Sequence, residues 1–150
     1  MTMKIQKKDL FHGSALTQIV ENPLFTALNK ADEKYGHYQI NHNKRLLVKH
    51  TSNDKAPWSF TLQPDDIDTV VGDISSDQES FLCLVCGQTT VCILTTEEFE
   101  QLIDTNGKNA QWIKVDCPPG SGMRVSGSNG SIKPVIAHNA FPKKLFEKAA

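Results

Sequence analysis

The sequence lacks long apolar runs, and this absence bears on where the chain acts. No stretch approaches the roughly 20 apolar residues that a membrane-spanning helix requires. The opening segment, MTMKIQKKDLF, contains lysines but no apolar segment behind them, so a signal peptide is not expected. These two absences predict a cytoplasmic protein that has no membrane partner.

An excess of charge of either sign is also lacking. The 150 residues include 16 Lys and Arg against 17 Asp and Glu, and the formal net charge is -1. Proteins that coat nucleic acid without sequence preference carry a clear basic excess, so that class is not expected. With 39% hydrophobic and 22% charged residues, the composition is that of a folded globular chain, and its length suits one domain spanning residues 1–150.

The sequence has four cysteines but lacks a complete metal motif. Cys83-Leu84-Val85-Cys86-Gly87 matches half of a zinc ribbon, but Cys92 and Cys117 are single. A zinc site of Cys83, Cys86, Cys117 and His138 is an alternative. The apolar Leu-Val pair between the first two cysteines, however, indicates a strand, whereas zinc knuckles have a turn there. We therefore predict four reduced thiols and no bound metal.

Apolar periodicity predicts an α/β fold. Helices are expected around Leu16–Val20, from Pro23 towards Gly36, over 65–75 and after Thr95. Five segments have the length and composition of strands: 37–40, 45–51, 58–62, 81–86 and 90–94. The continuous apolar run 81–86 is typical of a strand that is covered on both faces. We predict a mixed central sheet built from the last four of these strands.

The C-terminal third is predicted to be a β-ribbon extension. Strands are expected at 112–115, 123–126 and 132–136, with a hairpin turn at Asn129-Gly130. Phe141 and Phe146 are expected to pack back onto the body. The predicted core therefore covers residues 14–104, and the extension covers residues 111–146.

The order of helices and strands over residues 14–94 is αβββαβ, which resembles the core of the PD-(D/E)XK, or restriction-endonuclease-like, superfamily. In that superfamily an Asp near the start of the second strand and an acid-x-Lys motif on the third strand bind Mg²⁺. The lysine helps to activate the attacking water, and a Glu on the first helix often assists. Carboxylates hold this hard cation, and the cation stabilises the in-line transition state of phosphodiester cleavage.

The resemblance implies only part of such a site. Lys49 in Leu47-Val48-Lys49 matches the lysine of acid-x-Lys, and Glu21 matches the helix Glu. Leu47 stands at the acid position, and the preceding hairpin offers Asn41 where the family has Asp. Both metal-binding acids are therefore missing from their usual positions.

Three functions remain open at this point. The first is a degenerate, non-catalytic domain of this type that binds nucleic acid or an acidic protein in a bacterial or mobile-element context, without a cofactor. The second is an active Mg²⁺-dependent nuclease in which Lys49 and Glu21 act with relocated acids, drawn from Asp54, Asp65 and Asp66. The third is a small α/β adaptor that binds other proteins and shares only the element order.

Positive charge concentrates on the hairpin that ends near residue 51, close to aromatic residues. Such clustering is typical of a surface that contacts phosphates, and equally of a solvated hairpin whose charges protect a sheet edge. The predicted binding residues are His42, Lys44, Arg45, Lys49, His50 and Trp58.

A looser resemblance connects the chain with uncharacterised bacterial proteins. It is carried by DLFHGSALTQIVE at 9–21, RLLVK at 45–49, WSFT at 58–61, LVCG at 84–87 and FPKKLF at 141–146. This resemblance implies no particular activity.

Overall fold

The computed structural model describes residues 5–137 and 140–147. The helices are α1 (Lys7–Val20), α2 (Pro64–Ser75), α3 (Thr96–Leu102) and α4 (Lys143–Phe146). The strands are β1 (Leu28–Lys30), β2 (His37–Ile40), β3 (Lys44–Thr51), β4 (Trp58–Leu62), β5 (Glu79–Cys86), β6 (Thr90–Thr95), β7 (Gln111–Asp116), β8 (Arg124–Gly127) and β9 (Gly130–Ser131). Within the described ranges, no helix is long and apolar enough to cross a membrane.

Five strands form a central sheet, sheet A, in the order β1-β2-β3-β5-β6. β3 and β5 are parallel, and the other neighbouring pairs are antiparallel. From Ser80 to Cys86, every residue of β5 is buried, which explains its continuous apolar run, since helices and other strands cover both faces. The predicted α/β class and mixed central sheet are confirmed.

The αβββαβ order is present, but with different strands from those predicted. The prediction of a helix after Pro23 is wrong. A turn occupies the first part of this segment, and β1 then follows and pairs with β2. The placement of 58–62 in the central sheet is also wrong, because this strand pairs with β7 in a second sheet. Ser59 and Thr61 alternate with buried residues and are exposed, so the strand suits a sheet with one wet face. The order arises instead from α1, the first three strands, α2 and β5.

Four antiparallel strands form the second sheet, sheet B, in the order β4-β7-β8-β9. The predicted C-terminal extension is thus joined by a strand from the middle of the chain. The strand expected at 132–136 is wrong: β9 ends at Ser131, and the expected range contributes one isolated bridge between Ile136 and Met123. Pro134 lies within the expected strand and lacks the amide hydrogen that a regular ladder uses.

Two apolar clusters lie on opposite faces of sheet A. Leu47, Leu82 and Leu84 point to the α2 side, where they pack with α2 and with the inner face of sheet B. Leu46, Val48, Cys83 and Val85 point to the other side, where α1 contributes Ala15 and Ile19. The packing predicted for Phe141 and Phe146 is confirmed, since both belong to the α1-side cluster.

Candidate functional site

Charged side chains are buried where α2 packs on sheet A. Asp66 and Asp73 lie seven residues apart on α2, which is about two helical turns, so both face the sheet beside Ile67 and Val70. Only 6% of each of these carboxyl side chains is exposed. Buried carboxylates are costly unless they are paired, and each of the two meets cations from the sheet side.

Asp66 is held by two lysines. Lys49 Nζ lies 3.1 Å from Oδ2, and Lys34 Nζ lies 3.0 Å from Oδ1. The backbone amide of Gln63 also donates to Oδ2 at 3.0 Å, as part of the box that caps α2. Burial raises the pKa of the Asp66 carboxyl, but the hydrogen bonds from Lys34, Gln63 and Lys49 together lower it below its usual range.

Asp73 is held by a histidine and an arginine. His37 Nε2 lies 2.7 Å from Asp73 Oδ2, and an Arg45 guanidinium nitrogen lies 3.4 Å from Oδ1. On its other side, His37 Nδ1 lies 3.0 Å from Asp32 Oδ1. The hydrogen bond to Asp73 raises the pKa of His37 against the opposing effect of burial. We call this set the α2 charge network: Asp32, Lys34, His37, Arg45, Lys49, Asp66 and Asp73.

The structure brings together three of the four predicted catalytic residues. Lys49 lies beside Asp66, and Asp65 is next to it, exposed and paired with Lys34. Glu21 is exposed at the C-terminal end of α1, and that helix packs on the opposite face of sheet A from Lys49. Leu47, at the position of the family's acid, is 1% exposed within the apolar core.

The donors in this region do not fit Mg²⁺. The ion prefers several oxygen ligands, usually carboxylates together with water. Both oxygens of Asp66 are taken by ammonium groups, and Leu47 supplies no ligand. Across the described residues, no group of three His, Cys, Asp or Glu side chains is arranged to hold a metal ion.

The predicted basic surface is not a cluster of free charges. Lys44 is buried and forms an ion pair with Glu79 at 2.5 Å. Arg45 and Lys49 belong to the α2 charge network, on one face of sheet A. His50 points to the other face, where it stacks on Phe11 with ring centroids 5.3 Å apart. The alternation of β3 therefore distributes these side chains over two faces.

Trp58 and His42, the other two members of the predicted surface, differ in their exposure to solvent. Trp58 is 2% exposed and its indole Nε1 donates to the carbonyl of Asn53 at 3.0 Å, so its assignment as a contact residue is wrong. The indole is part of the core between the two sheets. His42 is exposed in the turn before β3, and its role in binding stays a prediction.

The cysteine pair confirms the strand prediction for CxxCG. Cys83 belongs to the α1-side cluster, whereas Cys86 and Cys92 belong to the α2-side cluster, so the two motif sulfurs are on opposite faces of β5. Burial raises the pKa of all three thiols, that of Cys92 to about 12. His138, the fourth ligand of the alternative zinc site, lies outside the described residues. The absence of metal stays a prediction.

Sequence reasoning missed Lys34, Asp32 and Asp73 as members of the α2 charge network. The available signal was the pair of acids on the apolar stripe of α2, since Asp66 and Asp73 flank Ile67 and Val70 on the same side of the helix. An acid in the first turn of a helix also complements the helix dipole. Because that role does not require burial, the sequence did not indicate that Asp66 is buried.

Comparisons with known proteins give little further information. No family model matches the chain. No curated protein matches it either. Among solved structures, the chain is similar to Hjc of Archaeoglobus fulgidus, a Holliday junction resolvase from an archaeal hyperthermophile. The match has 15% identity and a TM-score of 0.39, and it covers 73% of this chain and 87% of the other. A likeness at this level carries no conclusion about function.

Proposed function

We propose that this chain is a non-catalytic module with a restriction-endonuclease-like element order that binds nucleic acid. One observation carries the proposal: Asp66 is held between Lys34 and Lys49, where a nuclease would need a free carboxylate and a lysine directed at water. In this arrangement Lys49 joins α2 to β3, so its role is structural.

The burial of Leu47 supports the same conclusion. This residue is 1% exposed and belongs to the apolar cluster under α2, so the position that matches the family's acid is part of the core. The remaining acids nearby are neutralised. Asp73 is shared by His37 and Arg45, and Asp66 by the two lysines. A metal ion would have to displace these cations before it could bind.

An active nuclease with relocated acids is the second candidate. It is favoured by the distance of 3.1 Å between Lys49 Nζ and Asp66 Oδ2, which places an acid beside the lysine that matches the family's motif. Asp65 is adjacent and exposed, so it is a candidate for the second carboxylate. This function requires Lys34 to release both acids when the metal arrives.

Cleavage and binding assays distinguish the two candidates. Plasmid, single-stranded and branched DNA are incubated with the unmodified protein and Mg²⁺ or Mn²⁺, alongside Lys49→Ala and Asp66→Asn. Lys55→Ala is a matched control, because Lys55 is exposed in the loop before β4, outside the network. We expect no cleavage by any variant, and reduced thermal stability for the two network variants.

Binding is measured as fluorescence anisotropy of labelled oligonucleotides at two salt concentrations. We expect binding that weakens as salt rises, because phosphate contacts release counterions. Metal-dependent cleavage that is lost in both Lys49→Ala and Asp66→Asn, with the folded state retained, would establish the nuclease instead. Failure to bind any nucleic acid would favour the protein-binding adaptor.

A further inference from the structure

The outer face of sheet B is open to solvent. Along β4, Ser59 and Thr61 are exposed, while Phe60 between them is buried. Along β7, Trp112 and Lys114 are exposed and alternate with buried residues. The inner face packs in the core, so this antiparallel sheet has one dry and one wet side.

Trp112 is an unusual residue on this wet face. Its side chain is 45% exposed, and its Cα partner on β4 is Thr61. On the β8 side, the backbone amide of Ser128 donates to the Trp112 carbonyl. Both flanking residues are small and hydroxyl-bearing. In the part of the chain that the structure describes, the indole joins none of the aromatic stacks, which involve Phe11, Tyr35 and histidines.

Two cations accompany Trp112. Lys114 is two residues further along β7 and so projects from the same face. Arg124 is exposed on β8, diagonally across from Lys114, whose direct partner is Ser126. Among the described residues, neither cation forms an ion pair, in contrast to the lysines of the α2 charge network. Asp116 is the Cα partner of Arg124 at the far end of the row.

The spacing of these groups suits one nucleotide and its neighbour. Residues two apart on a strand are about 7 Å apart, and diagonal neighbours on adjacent strands are separated by a similar distance. A base stacked on the Trp112 ring therefore places its phosphate within reach of Lys114, and the next phosphate towards Arg124. Aromatic rings beside unpaired cations on an open sheet are the combination with which proteins bind unpaired bases.

We infer that the outer face of sheet B binds single-stranded nucleic acid, with a base stacked on Trp112 and phosphates contacted by Lys114 and Arg124. The inference rests on the proposed function for the class of partner, and adds the strand type and the surface. A duplex presents no free base face to stack on Trp112. The small neighbours Ser59, Thr61 and Ser126 offer little apolar area to a protein partner.

The test uses the full chain and a short fluorescein-labelled oligothymidylate, with anisotropy as the readout. Trp112→Ala is expected to weaken binding about tenfold or more, because one base–aromatic stack has roughly that effect. Trp112→Phe keeps a ring and should lose less. Lys114→Ala should weaken binding. It should also reduce the slope of log K against log salt concentration by the amount expected for about one phosphate contact. Lys108→Ala, an exposed lysine in the loop before β7, is the matched control.

A second readout is the intrinsic fluorescence of the protein. Trp112 is the exposed tryptophan and Trp58 is buried, so the oligonucleotide should quench the unmodified protein and not Trp112→Phe. Oligothymidylate binding that is unchanged in Trp112→Ala would overturn the inference. If branched or duplex DNA is then bound equally by both proteins, the proposed function stands without this surface. If the unmodified protein binds no nucleic acid, both the inference and the proposed function are wrong.

Discussion

His12 and His37 are buried to the same extent, with 4% exposed in each, and they lie on opposite faces of sheet A. On the α1 face, burial lowers the pKa of His12 to about 4, and the nearby His50 and Lys49 add to this effect. On the α2 face, the hydrogen bond to Asp73 raises the pKa of His37 despite its burial. The comparison shows that hydrogen bonding to a carboxylate can outweigh the burial that otherwise lowers the pKa of a histidine.

The α1 and α2 faces of sheet A also differ in how their helices are attached to the sheet. The α1 face joins its helix to the sheet through apolar contacts, with Ala15 and Ile19 against Val48 and Val85. The α2 face adds ion pairs to an apolar core. The charge of the α2 face is therefore used internally, whereas Lys114 and Arg124 lie with the exposed Trp112 on sheet B and form none of the ion pairs found among the described residues.

The largest effect is expected from placing a further acid on the α2 face. Leu47→Glu restores the acid at the position that matches the family's motif, but it buries a carboxylate where 1% of the leucine is exposed. We expect a loss of about 4 kcal/mol or more in the free energy of unfolding. We also expect no nuclease activity, because the neighbouring Asp65 and Asp66 remain paired with lysines. Urea unfolding measures the loss of stability, and a cleavage assay measures the nuclease activity. A stable variant with Mg²⁺-dependent cleavage would show that the α2 face still accommodates a metal site.

Asp73→Ala tests the ion pairs that are already present. The substitution leaves His37 and Arg45 without their shared carboxylate, and we expect a loss of roughly 3 kcal/mol in the free energy of unfolding. Asp68→Ala is the matched control, because Asp68 is exposed on the same helix, and a change within about 0.5 kcal/mol is expected. Equal effects in urea unfolding would show that the network contributes no more than a surface charge.

The sequence predicted the elements whose patterns are local. The apolar run at 81–86 and the amphipathic stripe of α2 both identify buried elements directly, and both are found. β1 was missed because Leu28-Asn29-Lys30 has no strand composition, and its conformation is fixed by pairing with β2. β4 was recognised as a strand but assigned to the wrong sheet, since the partner of a strand is not encoded in its own alternation.

The candidate site was less predictable because its contacts are distant in sequence. Lys49 was identified through a family resemblance, yet its carboxylate partner is 17 residues away on α2. His37 and Asp73 are separated by 36 residues. Charge counting on one hairpin could not reveal that Lys44 and Arg45 are neutralised by acids from β5 and α2, respectively.

The pH dependence of stability should separate the two histidines, beginning with His12. Its pKa is lower in the folded state, so the folded protein binds fewer protons than the unfolded chain between these pKa values. The stability that His12 contributes is complete above about pH 6.5 and is lost as the pH falls towards 4, by up to about 3 kcal/mol. His12→Gln should remove this part of the acid slope in urea titrations. An unchanged slope would mean that folding does not lower the pKa of His12.

His37 should give the opposite dependence. Its pKa is raised in the folded state, so its contribution is complete below about pH 6.5 and is lost as the pH rises through the folded pKa. The loss should be smaller than that in Asp73→Ala, because neutral His37 still donates to the carboxylate. His37→Gln should flatten the decline in the urea midpoint that begins above about pH 6.5. If the urea midpoint declines equally in the unmodified protein and in His37→Gln, groups other than His37 cause the decline.

The smallest effect is expected from an ion pair that lies outside both faces. Lys30 and Glu33 are 3.9 Å apart, with side chains 76% and 98% exposed. Solvent screens such a pair, and holding two long side chains costs entropy, so Lys30→Ala should change the free energy of unfolding by about 0.5 kcal/mol or less. The measurement is urea unfolding at low and high salt beside Asp73→Ala. If burial under α2 is what gives the network its strength, salt should leave the Asp73→Ala deficit nearly intact. A deficit for Lys30→Ala that equals the one for Asp73→Ala would refute that difference between buried and exposed pairs.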